Sequence, residues 1–195
     1  MKGTNLRLLP IFLVLLYSSP AVAEFEINKS FEFYDISPKT KDDIKPEILK
    51  NTPIANENIK FHGSTLWQVE WRISWKKSNG ICYLNFSYTK LNVLFKMPRI
   101  SPNFNASDEV LGVFNKYYKV LLKHENGHMK NGTNALNDIN KLLSNFNSYN
   151  DCQALNEGVK NAITKIVGKH KNRDIEYDIK TNHGELQGVS IRDFI

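Results

Sequence analysis

Two histidines one helical turn apart give the strongest chemical signal in the sequence. His124 and His128 belong to residues 123–128, KHENGH, which contain the pattern HExxH. Four residues along an α-helix advance about 6 Å and return to nearly the same face, so both imidazoles can reach one tetrahedral Zn²⁺ at roughly 2.0 to 2.1 Å. The spacing therefore predicts that both histidines are zinc ligands.

Glu125 follows the first histidine and would stand beside the metal. Its carboxylate could take a proton from zinc-bound water and return it to a leaving amine, which is general-base catalysis of hydrolysis. The alternative is that His124 and His128 are hydrogen-bonded core residues and Glu125 an exposed acid. Glycine inside a helix costs up to about 1 kcal/mol relative to alanine. Gly127 would be explained by close approach of backbone or substrate at this position, or equally by tight helix packing.

A catalytic zinc keeps three protein ligands, so a third must lie elsewhere. The metzincin extension needs Gly at 131 and His at 134, where this chain has Asn131 and Asn134. His183 is the preferred candidate, because its polar loop offers no core to fill. Glu157 on a later helix is an alternative, and Asp178 is another, as a ligand or as an acceptor that fixes an imidazole.

Three further residues complete the candidate list. Tyr177 could donate a hydrogen bond to a developing oxyanion, or could pack a loop onto the body of the protein. His62 and His170 are interpreted as surface residues without a role.

The elements that must position these residues begin with strands. Residues 31–37 are predicted to form an edge strand, and Thr40 and Asp43 resemble a capping box that opens a short helix through Leu49. Apolar and polar residues alternate from Trp67 to Trp75, and after a turn at 79–80 a second strand completes a long hairpin. Its apolar set changes parity, which predicts a bend or bulge near Thr89. The three tryptophans of the first strand would fill the core or line a cleft.

Helices follow the hairpin. Ser107 and an apolar stripe that contains both histidines predict a helix that runs through Gly132 or restarts after it. A third helix is predicted from Cys152 to about Val167, ending near Gly168, and residues 177–188 are predicted to form a loop. The fold class is α+β, with an antiparallel sheet packed against the HExxH helix and further C-terminal helices.

The N-terminus predicts export. Lys2 and Arg7 precede a short apolar run, and residues 21–23, AVA, suit cleavage after Ala23, so residues 1–23 are read as a signal peptide and 24–195 as one domain. An uncleaved anchor is the alternative.

Without Lys2 and Arg7, 26 − 2 = 24 basic residues face 20 acidic ones, a dispersed excess that predicts neither nucleic-acid binding nor stable membrane insertion. In a periplasmic or secreted protein, Cys82 and Cys152 are expected to form a disulfide.

Several short sequence motifs, in the order in which they occur along the chain, resemble the bacterial domain family DUF922, described as predicted secreted zinc-dependent proteases. They are Tyr34-Asp35-Ile36, residues 63–67, Cys82, the HExGH core, Tyr177-Asp178, Thr181, His183-Gly184 and Gln187-Gly188. The resemblance implies a zincin-like site and draws attention to the C-terminal block that holds His183.

The expected function is a secreted, zinc-dependent peptidase acting on a peptide or protein. A zinc-binding module of the cell envelope without catalysis, or a zinc amidase acting on peptidoglycan, would use the same residues. The sequence does not determine the oligomeric state.

Overall fold

The computed structural model describes residues 22–57, 59–190 and 194, which form an α+β fold with a sheet and three helices. The predicted signal peptide lies outside these residues except for Val22 and Ala23, the first residues of a strand. The elements in chain order are β1 (Val22–Ile36), α1 (Ile44–Asn51), β2 (Ala55–Asn56), β3 (Ile59–Lys60), β4 (Ser64–Ser78), β5 (Ile81–Ile100), α2 (Asp108–Ser144) and α3 (Cys152–Thr181). Short 3-10 helices span Lys41–Asp43 and Glu185–Gln187.

The main sheet has the strand order β1-β5-β4. β4 and β5 form the predicted antiparallel hairpin, but β1 pairs with β5 in parallel, so the sheet is mixed and the expectation of a purely antiparallel sheet was wrong. Parallel pairing needs a long crossover, and α1, the small β2–β3 hairpin and β4 all lie between the paired strands. β1 and β4 are the two edges.

The long hairpin turns where the sequence predicted. Asn79 and Gly80 both have positive φ, 51° and 80°, the conformation that a tight type I′ turn requires. The change of parity is real, but its position was wrong. Ser74 pairs with Phe86 and Trp75 with Leu84, so the extra residue is Asn85 rather than a residue near Thr89.

The structure confirms one of the two alternatives predicted for α2, whereas α3 is longer than predicted. Ser107 caps α2 by accepting a hydrogen bond from the Val110 backbone, and α2 continues through Gly132 without restarting. α3 does not end near Gly168; it extends to Thr181, where Asn182 adopts the left-handed conformation. Tyr177 and Asp178 therefore lie on a helix and not in the predicted loop, which is confined to residues after Thr181.

One face of the sheet packs against α2, and α3 packs on α2. Buried Trp67, Leu91 and Phe95 meet buried Tyr117 and Leu136 in the larger core. The smaller core contains Ile139, Leu143, Leu155, Val159 and Ile163 and lies around Cys82. The expected disulfide joins Cys82 to Cys152 and thereby ties the start of β5 to the start of α3.

Among the described helices, none combines the length and hydrophobicity that crossing a bilayer requires.

Candidate metal site

Three potential metal ligands meet between α2 and α3. The ligand atoms of His124, His128 and Asp178 all lie within 4.8 Å of one another. Oδ1 of Asp178 is 3.3 Å from Nε2 of His124 and 3.0 Å from Nε2 of His128. In a tetrahedral zinc site with the usual bond lengths, ligand atoms are separated by about 3.3 Å. The donor set and its spacing therefore fit a zinc ion.

The other ring nitrogen of each histidine contacts a fixed acceptor. Nδ1 of His124 is 2.9 Å from Oε1 of Gln187, and Nδ1 of His128 is 3.3 Å from Oδ1 of Asp174. An imidazole that donates from Nδ1 presents a lone pair at Nε2, which is how histidines bind metals in proteins. Both rings are thus oriented with Nε2 toward Asp178.

This orientation has an electrostatic consequence. Two neutral Nε2 lone pairs and a carboxylate oxygen are all acceptors, so their close approach requires a cation among them. Burial lowers the pKa of His128, but hydrogen bonds to Asp174 and Asp178 outweigh burial and raise it to about 10. Burial alone would raise the pKa of Asp178, yet the two imidazoles hold it well below its ordinary value.

Glu125 is buried beside these ligands. Its Oε2 accepts a hydrogen bond from Oγ1 of Thr65 at 2.8 Å, which connects α2 to the start of β4. Burial raises the pKa of Glu125, whereas the Thr65 hydrogen bond and the nearby imidazoles lower it. The net increase moves this carboxyl group toward the range in which it can exchange a proton near neutral pH.

Tyr177 explains the glycine in the motif. Its ring stacks on His124 with the centroids 5.1 Å apart, and its hydroxyl lies 3.2 Å from the His124 carbonyl and 3.1 Å from Oε1 of Gln187. A Cβ at Gly127 would lie 2.2 Å from the Tyr177 ring, so helix packing accounts for this glycine. With its hydroxyl directed at these acceptors, Tyr177 fits the packing role better than that of an oxyanion donor, which stays a prediction.

The structure does not bring His183 or Glu157 into the cluster. The side chain of His183 is 54% exposed with Nδ1 3.9 Å from Oδ2 of Asp178, and its ring packs on Phe61. Glu157 is exposed and lies 178 − 157 = 21 residues before Asp178 on α3, roughly 30 Å along the helix. Asp178, the remaining alternative, is the residue that meets both histidines.

Two histidines interpreted as surface residues are not on the surface. His170 is fully buried, with Nε2 2.9 Å from Oδ2 of Asp138. His62 is partly buried against the hydroxyl of Tyr117, and burial lowers its pKa to about 4. Neither joins the group formed by His124, His128 and Asp178.

Sequence reasoning missed Asp174 and Thr65. Asp174 accepts hydrogen bonds from Nε1 of Trp67 at 2.6 Å and from Nδ2 of Asn131 at 2.8 Å, in addition to contacting His128. Its signal was present, since Asp174 precedes Asp178 by one helical turn, but it was hidden by the predicted early end of α3. Trp67 is buried, as the core interpretation expects, whereas Trp75 is 50% exposed.

The cluster forms part of the lining of a cleft of about 780 Å³. α2 contributes the two histidines and Glu125, α3 forms one wall, and the segment from Ile54 to Thr65 forms the other. The site is therefore accessible to a ligand much larger than water.

Comparison with known proteins gives one match. No curated protein and no solved structure matches the chain. The family model described as a bacterial protein of unknown function, DUF922, matches residues 31–184, most of the chain and all of the candidate site except Gln187. The chain therefore belongs to the DUF922 family.

Proposed function

We propose that this protein is a zinc-dependent peptidase with a zincin-like site, in which His124, His128 and Asp178 bind the metal. The observation that carries the proposal is the meeting of both Nε2 atoms with one carboxylate oxygen at 3.0 and 3.3 Å, directly beside a buried glutamate. A bound zinc would supply Lewis acidity, which polarises a carbonyl and lowers the pKa of water.

The chain's own residues supply the remaining chemistry. Glu125 accepts a proton from the attacking water and delivers it to the leaving nitrogen, and burial of its carboxyl group supports this exchange by raising its pKa. Thr65 fixes the carboxylate through a hydrogen bond. Asp174 and Gln187 orient the two imidazoles, so each ring stays aligned throughout the reaction.

The edge strand β4 is suited to holding a peptide. The carbonyl of Trp67 accepts a hydrogen bond from Nζ of Lys171 at 3.0 Å, so the main chain of Trp67 faces away from β5. Successive residues of a strand alternate in this direction, and Thr65 therefore also presents its main chain to the open edge, next to Glu125. A peptide added to this edge would lie across the metal site, while Lys171 limits how far pairing extends toward Trp67.

We also propose that the protein acts outside the cytoplasm. The Cys82–Cys152 disulfide is compatible with an extracellular location, because such bonds persist in oxidising compartments.

Metal analysis and hydrolysis assays on matched variants test the proposed function. The parent is expected to retain one zinc per chain and to cleave a mixture of unstructured peptides. Glu125→Gln should keep the zinc and lose at least about a hundredfold in kcat, Asp178→Ala should lose the zinc, and His183→Ala should keep it.

The other results distinguish the alternatives. Zinc binding without hydrolysis of peptides or peptidoglycan fragments would indicate a non-catalytic module, and hydrolysis of peptidoglycan fragments alone would indicate an amidase. A parent protein that binds no zinc when offered excess metal would refute the proposal.

A further inference from the structure

The cleft around the candidate metal site has exposed aliphatic side chains on both of its walls. On α3, Ile175 and Ile179 are 61% and 72% exposed, and Ile59 on the opposite wall is 63% exposed. Single exposed apolar residues are ordinary, but several exposed apolar residues along one cleft are typical of a ligand-binding groove. These three line the same cleft as His124 and Glu125.

Helical geometry places the two α3 isoleucines next to Asp178, the proposed metal ligand on the same helix. Ile175 and Ile179 are four residues apart and therefore lie on one face, and Ile179 follows Asp178 directly. An exposed isoleucine has no packing role, and its helix propensity is lower than that of the Ala, Glu and Lys residues usual on helix surfaces. Partly buried Ile54 and Phe61 extend the apolar lining across the cleft.

The floor of the cleft has the opposite character. Glu125, Asp174 and Asp178 lie there among the imidazoles. A lipid chain or a flat apolar protein surface would cover these carboxyl groups without offering hydrogen bonds, which is costly. An extended peptide brings N–H and C=O groups for the floor and for the open edge at Thr65, and its side chains can meet the aliphatic walls.

We infer that the cleft selects extended peptides that carry a bulky apolar side chain next to the bond to be cut, and that Ile175 and Ile179 provide this selectivity. The inference rests on the proposed function, since it names the substrate class of that site. In this arrangement the isoleucines contact the substrate side chain and take no part in binding the metal. They therefore act on specificity and not on zinc binding.

Binding to a form without turnover tests this selectivity apart from catalysis. The zinc-loaded Glu125→Gln protein is mixed with two fluorescent octapeptides that differ only in a central Leu or Asn, and Kd is measured by polarisation. We expect the Leu peptide to bind at least about tenfold more tightly, within the range that apolar pockets discriminate. Adding Ile175→Gln and Ile179→Gln should weaken Leu-peptide binding about tenfold and leave Asn-peptide binding within about twofold.

Leu111→Gln is the matched control, because Leu111 is an exposed aliphatic residue on α2 that does not line the cleft; it should change neither Kd. Equal affinity for the two peptides, or equal loss with both in the isoleucine variant, would overturn the inference. Capture of phosphatidylcholine vesicles in preference to both peptides would also overturn it.

Turnover by the parent separates the two proposals. If the parent cleaves peptides without preference for apolar residues, the selectivity fails and the peptidase stands. If the Leu preference depends on the isoleucines but the parent cleaves nothing, the peptidase fails and the cleft is an apolar peptide-binding site.

Discussion

At one end of the α2–α3 helix pair, Leu143, Leu155 and Val159 pack beside the Cys82–Cys152 disulfide. At the other end the same two helices meet through His128, Asp174 and Asp178. The stripe of α3 that faces α2 thus changes from aliphatic to charged along a single helix, and buried His170 lies between the two regions.

The difference shows how such a site is maintained. Buried ion pairs give little net stability, because desolvation offsets their attraction. Buried aliphatic side chains contribute roughly 1.5 to 3 kcal/mol each, and a covalent crosslink adds to them. We conclude that the apolar end holds the helices together and that the polar end is free to keep ligands in an arrangement suited to a metal.

The largest expected effect is a loss of zinc affinity that occurs when the polar end is mutated and does not occur when the apolar end is mutated. His128→Ala should weaken zinc binding by on the order of a thousandfold or more, since one of the three proposed protein ligands is lost. Leu155→Ala at the apolar end should cost about 2 to 5 kcal/mol of folding free energy while leaving zinc affinity within about twofold, because distant sites act independently. Calorimetric zinc titration and urea unfolding measure the two quantities. Loss of zinc affinity in Leu155→Ala would show that the ends are coupled.

Breaking the disulfide should be the next largest effect. Cys82 and Cys152 are 70 residues apart, and the chain-entropy model gives a loop of this size about 4 kcal/mol of stabilisation. The double variant Cys82→Ser/Cys152→Ser should unfold at correspondingly lower urea concentration. Saturating zinc should raise the stability of parent and variant by the same amount, because the proposed metal site lies at the other end. A smaller zinc effect in the variant would contradict the division of roles.

Two helix glycines give a matched comparison of packing. Gly127→Ala places Cβ 2.2 Å from the Tyr177 ring, so the helices must separate at the polar end, at a cost of about 2 to 3 kcal/mol. Gly168 has no neighbouring atom in the space a Cβ would occupy, within the described structure, and Gly168→Ala should stabilise α3 by about 0.5 to 1 kcal/mol. Thermal unfolding should show a lower melting temperature for Gly127→Ala and a higher one for Gly168→Ala than for the parent. Equal melting temperatures would mean that Tyr177 does not constrain the helix spacing.

The same change in the α3 stripe explains what the sequence did and did not predict. The hairpin was predicted because β4 alternates strictly and Asn79-Gly80 specifies its turn, and α2 because its apolar stripe continues into His124 and His128. α3 lost its apolar pattern after Ile166, and Gly168 resembled a helix end, so the prediction stopped about a turn before the polar contacts begin. The HExxH spacing is local and therefore visible in the sequence.

The third member of the cluster is not local. Asp178 lies 178 − 128 = 50 residues after His128, and its approach depends on how α3 crosses α2. The exposed turn containing His183 was favoured because a histidine there has no core to fill, but Asn182 and His183 both adopt positive φ, and the His183 ring packs on Phe61 instead. The bulge at Asn85 was likewise misplaced, because a change of parity fixes only an interval in which the extra residue must occur.

Asp174 gives a smaller predicted loss of zinc affinity than His128 and the most specific test of the polar end. It contacts Nδ1 of His128 and also accepts hydrogen bonds from Trp67 and Asn131. Asp174→Asn removes the charge but keeps the size, so His128 should lose orientation and basicity without losing its position. Zinc affinity is expected to fall about 10- to 100-fold, the usual effect of removing such a partner, and zinc titration measures it.

His183→Ala is the control for Asp174→Asn, because His183 also lies near Asp178 but is half-exposed at the rim. If the fall in zinc affinity came from a general loss of polarity near Asp178, both variants would weaken zinc binding to a similar degree. If Asp174 acts through the ring of His128, only Asp174→Asn has an effect, and combining it with His128→Ala causes no further loss, since the oriented ring is already absent. Additive losses in that double variant would mean that Asp174 acts on the site by a route other than His128.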